Sequence, residues 1–122
     1  IGWHYKQVVS VFVPNGNVFT RVGSNVVLGS GVYLIRFQTT FDPNGNYFWM
    51  HMDIKEVGGT TLETHDNRHY AYHIYPINIS HILVVPVGKT KDIEFGCRNQ
   101  ATFNIRSTQD CRIEIVRIAY FY

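Results

Sequence analysis

A chain of 122 residues makes one domain with room for a full hydrophobic core, so folding requires neither a metal nor a disulfide scaffold. Only 16% of the residues are charged, against a usual ~25%, and the net charge is +2. The arginines are scattered without a run, and no apolar stretch reaches about eighteen residues, which speaks against a nucleic-acid surface and against membrane insertion by a helix.

Asn, Thr, Ser, Gln and Gly must then carry the polar surface, a composition that suits secreted domains and tight assemblies. No leader segment is visible and the chain starts at Ile1, so a mature product or an excised domain is expected.

Strand signals follow one another from end to end. Trp3 to Val13 is rich in valine and aromatics, and Val18 to Arg21 and Asn25 to Leu28 are short segments. Val32 to Phe37 reads as a strong central strand. Tyr47 to Glu56 alternates, with Phe48, Met50, Met52 and Ile54 on one face and Trp49, His51, Asp53 and Lys55 on the other. Thr60 to Glu63 is a short edge candidate, followed by Tyr70 to Ile77, His81 to Val87, Asp92 to Arg98, Ala101 to Arg106 and Arg112 to Tyr122. No window holds helical spacing.

Two turns share the pattern aromatic, Pro-Asn-Gly-Asn, aromatic: Phe12 to Phe19 and Phe41 to Phe48. Pro presets the first turn dihedral, and Asn-Gly tolerates positive φ. Gly29 to Gly31, Gly58-Gly59 and Gly88 end further strands. The predicted fold is an all-β antiparallel sandwich, a jelly roll of about ten strands with little or no helix.

The last strand is apolar on both faces. Alternation sends Ile113, Ile115, Ala119 and Phe121 one way, and Val116, Ile118, Tyr120 and Tyr122 the other. One face packs into the domain. The other needs a cover, either a second sheet or another copy of the chain.

Candidate chemistry is sparse. His65, His69 and His73 are spaced by four, but the Gly58-Gly59 break and the β-rich context favour loop and strand over helix. On a strand that leaves His69 and His73 sharing a face, too far apart to chelate one ion directly. Thr64 to His69 is therefore expected as a polar loop, with His65, Asp66, Asn67, Arg68 and His69 as candidate ligand-binding residues and no metal. Asp92 and Glu94 share a strand face as solvated surface. No nucleophile elbow, zinc-protease helix, phosphate loop or dinucleotide fingerprint is present, so no enzyme and no cofactor are expected. Cys97 and Cys111 fit no zinc spacing, and a disulfide and two buried thiols stay equally open. Asn78-Ile79-Ser80 matches a glycosylation sequon. Trp49, beside His51 and Asp53, suits a sugar ring, which offers an apolar face and polar edges.

Three segments resemble the globular head of complement C1q and its tumour-necrosis-factor-like relatives. Gly29 to Phe37 is similar to the family's Gly-x-Tyr-x-Phe strand, Ile82 to Phe95 to its strand, turn and strand, and Arg112 to Tyr122 to its terminal strand. The family's Gly-Asp pair is replaced by Gly88-Lys89. The resemblance implies a single jelly-roll domain over residues 1–122 that assembles as a homotrimer, with Val116, Ile118, Tyr120 and Tyr122 at the interface. It implies a non-catalytic ligand-binding or adhesive head of an extracellular, cell-surface or virion fibre. A cell-surface receptor or glycan would bind through distal loops, including Pro14 to Asn17, Asp42 to Asn46 and Thr64 to His69. The alternatives are a monomeric carbohydrate-binding sandwich module and a structural capsid or surface-layer subunit. The calcium sites of some family members find no matching acidic motif here.

Overall fold

A computed structural model describes residues 2–14, 16–41, 46–71, 74–100, 105–106 and 111–120. Among them are eleven strands and no helix: β1 (His4–Val9), β2 (Phe12–Val13), β3 (Thr20–Arg21), β4 (Val26–Leu28), β5 (Gly31–Phe41), β6 (Asn46–Glu56), β7 (Thr61–Ala71), β8 (Tyr75–Val85), β9 (Lys91–Asn99), β10 (Ile105–Arg106) and β11 (Cys111–Ala119). β1, β11, β5 and β8 form a four-stranded sheet in that order. β3, β9, β6 and β7 form the second, with β4 also paired to β9, and β10 pairs with β2. Every pairing is antiparallel. This is the jelly-roll sandwich expected, in which three of the strands are two residues long.

The core is the two inner faces. Tyr33, Ile35 and Phe37 of β5 and Ile113 and Ile115 of β11 meet Met50, Met52 and Ile54 of β6 and Ile93, Phe95 and Cys97 of β9, all fully buried. Phe37 and Phe95 join the sheets edge to face at 5.4 Å between ring centroids, a preferred aromatic geometry. The turn between β8 and β9 closes with Lys89 N–H donating to Pro86 O at 3.1 Å, and Gly88 takes the positive φ of 76° that the third turn position needs.

Two boundaries differ from the sequence reading. Thr64 to His69 is not a loop: it is the middle of β7, paired residue by residue with Phe48 to Asp53 of β6. A polar edge strand looks like a loop because backbone pairing, rather than an apolar face, holds it, and edge strands favour charged and polar side chains. Tyr75 to Val85 is likewise one continuous strand along the whole of β5, so the Asn78 sequon lies on an exposed strand position and no turn separates Ile77 from His81. Asp42 to Gly45, where a turn was expected, His73 and most of Ala101 to Arg106 lie outside the described residues.

The terminal strand behaves as two different faces. Ile113 and Ile115 are core. A register shift between Arg117 and Ala119 pairs Ala119 with Val32, which alternates away from core Tyr33. Ala119 therefore does not continue the Ile113 and Ile115 side, because a bulge resets the alternation. On the outer face, His4, Val116, Leu34 and Ile82 stand in one cross-strand row, and Ala119, Val32 and Val84 in the next. Ile82 is 60% exposed, Val84 53% and Ile118 46%, whereas Tyr120, expected beside Val116, follows the reset alternation to the other side, where the Arg117 guanidinium that bonds the Tyr33 hydroxyl stacks on its ring at 4.6 Å. Phe121 and Tyr122 lie outside the described residues. The other half of this face is charged: Lys6, Glu114, Arg36 and Ser80 form one row, with Glu114 3.2 Å from His4 and 3.6 Å from Arg36.

Candidate functional site

The described side chains that combine an exposed aromatic with converging polar groups lie on the outer face of the five-stranded sheet. β6 alternates as expected, so Trp49, His51 and Asp53 turn outward over the buried Phe48, Met50 and Met52. Pairing then sets their neighbours. His51 lies between Asp66 of β7 and Arg98 of β9, and Asp53 between Thr64 and Gly96. Because directly opposed residues share a face, one row reads Asp66, His51, Arg98.

The contacts are dense. The Trp49 indole N–H donates to Asp66 Oδ1. His51 Nδ1 is 3.5 Å from the same oxygen, while its Nε2 is 2.9 Å from Asp53 Oδ1 and 3.2 Å from Thr64 Oγ1. Arg98 Nη2 reaches His51 Nε2 and lies 3.6 Å from Asp53 Oδ2. Asp53 is only 5% exposed, so these partners take the place of the water that burial removes. The Trp49 N–H, with His51 and Arg98 behind it, holds the Asp66 carboxyl below the usual carboxylate range. A shallow cleft of about 290 Å³ results, lined by Asn17, Trp49, His51, Asp66, Arg98 and Gln100. Arg98 Nε is buried there with no hydrogen-bond acceptor.

A turn and a glycine complete the site. The Asn17 turn is pinned to the end of β9 by Gly16 and Asn17 N–H groups donating to Asn99 O at 3.3 and 2.9 Å, with Asn17 at φ 61°. Asparagine tolerates that left-handed conformation better than most residues. Next to it, the Phe19 ring lies flat against Gly96: a Cβ on Gly96 would sit 2.2 Å from Phe19 Cζ. Lys55 Nζ stands 5.2 Å over the same ring.

Of the residues singled out from the sequence, Trp49, His51, Asp53 and Asp66 meet in this network. Arg68 shares the outer face but stacks over Tyr47 at 4.7 Å. His65, Asn67 and His69 point to the opposite side of β7, opposite inward-facing Met52, Met50 and Phe48. There His65 and His69 share one strand face with their rings in contact, which the sequence reading did not foresee. Asn17 was expected as part of a binding loop. Arg98 and Gln100 were missed: alternation around Ile93, Phe95 and Cys97 turns Arg98 outward, but only the β6–β9 register brings it to His51. Glu94 pairs with Lys55 at 3.7 Å and Asp92 stays exposed.

Among the described residues, no three His, Cys, Asp or Glu side chains gather as a metal cage. Cys97 and Cys111 are buried on facing sheets and form no disulfide, and burial pushes the Cys97 thiol well up.

No family model matches the chain, and no curated protein matches it. Solved structures do. A chain of the T13 IBDV viral particle, an icosahedral virus, aligns over 94% of this chain with a TM-score of 0.61 at 9% identity. This chain covers 31% of that one. Eiger TNF from S. frugiperda aligns over 94% of this chain and 95% of its own, with a TM-score of 0.50 at 14% identity. The likeness is one of fold: the chain is a jelly roll, similar in architecture to a TNF and to a component of a virus particle.

Proposed function

We propose that the protein is a non-catalytic binding head that assembles as a homotrimer through the outer face of its four-stranded sheet, on a virion or cell-surface fibre. The observation that carries this reading is the apolar half-face of Val32, Leu34, Val116, Ile82 and Val84, on which Ile82 and Val84 are the most exposed. Contiguous apolar surface of this kind is costly in water and marks contact with another protein. It lies back to back with the Trp49 cleft, so assembly leaves the cleft open.

A receptor glycan is the ligand that the cleft suits. Trp49, 40% exposed, offers a ring face whose plane is held by Asp66. Asp66, Arg98, Asn17 and Gln100 offer acceptors and donors for hydroxyls around it. The binding surface is thus a strand face with one turn, in place of distal loops.

Sedimentation of the chain tests the assembly: a stable three-chain species is expected. A single-chain mass would favour a monomeric carbohydrate-binding module instead. Glycan-array binding tests the cleft, with Trp49→Ala expected to abolish it, and unchanged binding would remove Trp49 from the site. A second reading, a structural capsid or surface-layer subunit, draws on the likeness to the viral-particle chain. It would show itself as open-ended assembly without glycan binding.

A further inference from the structure

On β7, His65 and His69 face the edge of the core, away from the glycan cleft, with Asn67 exposed between them on the same face. Their Nε2 atoms are 2.7 Å apart and their ring centroids 4.9 Å, tilted by 32°. Residues four apart on a flat strand are roughly 13 Å apart along the backbone, so both imidazoles must lean along β7 toward each other to meet. Phe48 stacks on His69 at 5.3 Å and 24°, fixing that ring from the β6 side.

We propose that His65 and His69 form a two-imidazole seat for a borderline divalent cation of the zinc and copper type. Imidazole nitrogen is the ligand these ions prefer, and hard cations such as calcium take oxygen instead. Two Nε2 atoms on one tetrahedral ion, each at about 2.0–2.1 Å, are separated by about 3.3 Å. The pair therefore opens by a few tenths of an ångström to admit the ion. In the metal-free pair one Nε2 carries a hydrogen and donates to the other. On binding, that hydrogen moves to Nδ1 of its own ring, so both Nε2 lone pairs face the metal and no proton is lost. Desolvation lowers the proton affinity of both imidazoles, opposed by Asp66 and aided by His51 at His65, and aided by His65 at His69.

Calorimetric titration of the untagged full chain with Zn²⁺ tests this. One ion per chain is expected. Loss of even an outer partner of a metal ligand typically weakens binding about 10–100-fold, so His65→Asn and His69→Asn should each weaken it at least about tenfold. His4→Asn, on the opposite sheet, should leave it unchanged. Retention of wild-type affinity in both variants, or no saturable binding by the wild-type chain, would overturn the proposal. Should the variants not fold, nitrogen NMR of the wild-type imidazoles decides the same question: Zn²⁺ must move the Nε2 resonances of His65 and His69 together. Movement confined to other histidines sinks the idea.

Discussion

Ile82→Asp separates assembly from folding on the four-stranded sheet. Ile82 is 60% exposed at the end of a row that runs through Leu34 and Val116 to His4. In an isolated chain the change touches surface, where substitutions usually shift stability within about 0.5 kcal/mol. In a trimer the same site is covered. Each copy then forfeits about 1–2 kcal/mol of isoleucine burial, and an unpaired carboxylate in a dry interface costs several kcal/mol more. Summed over three equivalent contacts the loss is on the order of 10 kcal/mol, enough to dissociate an ordinary oligomer. Assembly should therefore fail while the fold survives. Sedimentation velocity across a concentration series should show three chains for the wild type and one for the variant, with strand content by circular dichroism unchanged. Val27→Asp is the control: Val27 is 64% exposed, but on β4 of the other sheet, and its variant should stay trimeric. A variant with the wild-type mass at equal loading would show that this face is not the interface.

Gly96→Ala should destabilise the chain by about 1–2 kcal/mol, because the new methyl displaces the Phe19 ring. In a Phe19→Ala background the same change should be neutral or stabilising by about 0.5–1 kcal/mol, as alanine is the better strand residue. Urea midpoints of the four chains, at one protomer concentration, measure this, and additive effects would refute the contact. Cys97 and Cys111 are both fully buried, and the Cys97 thiol is held protonated by burial, with Cys111 and Asp53 adding to it. Iodoacetamide should label neither in the folded chain, even in mildly alkaline buffer, and both in urea. Stoichiometric labelling of the folded protein would contradict the packing.

How far the site was legible from residues alone differs from strand to strand. β6 could be read outright, since buried methionines and aromatics alternate with Trp49, His51 and Asp53. β7 could not. Its run Thr64, His65, Asp66, Asn67, Arg68, His69 carries no apolar alternation, because it is an edge strand whose order comes from hydrogen bonds to β6. The outward position of Arg98 was available from its own strand, but its meeting with His51 was not, since 47 positions separate them in the chain.

What the amino-acid order determined unaided was local: which side chains of a strand share a face, where glycine permits a turn at positive φ, and that the chain is all β. Those follow from a two-residue period and from backbone sterics, which act between neighbours. Tertiary structure alone decided the rest. Cross-strand register set Asp66 and Arg98 on either side of His51, a bulge after Arg117 moved Ala119 off the core side, and the lean of two side chains on β7 brought His65 against His69. The alternating pattern fixes which face of each strand is buried, but which residues then stand opposite one another is settled only when strands distant in the chain pair.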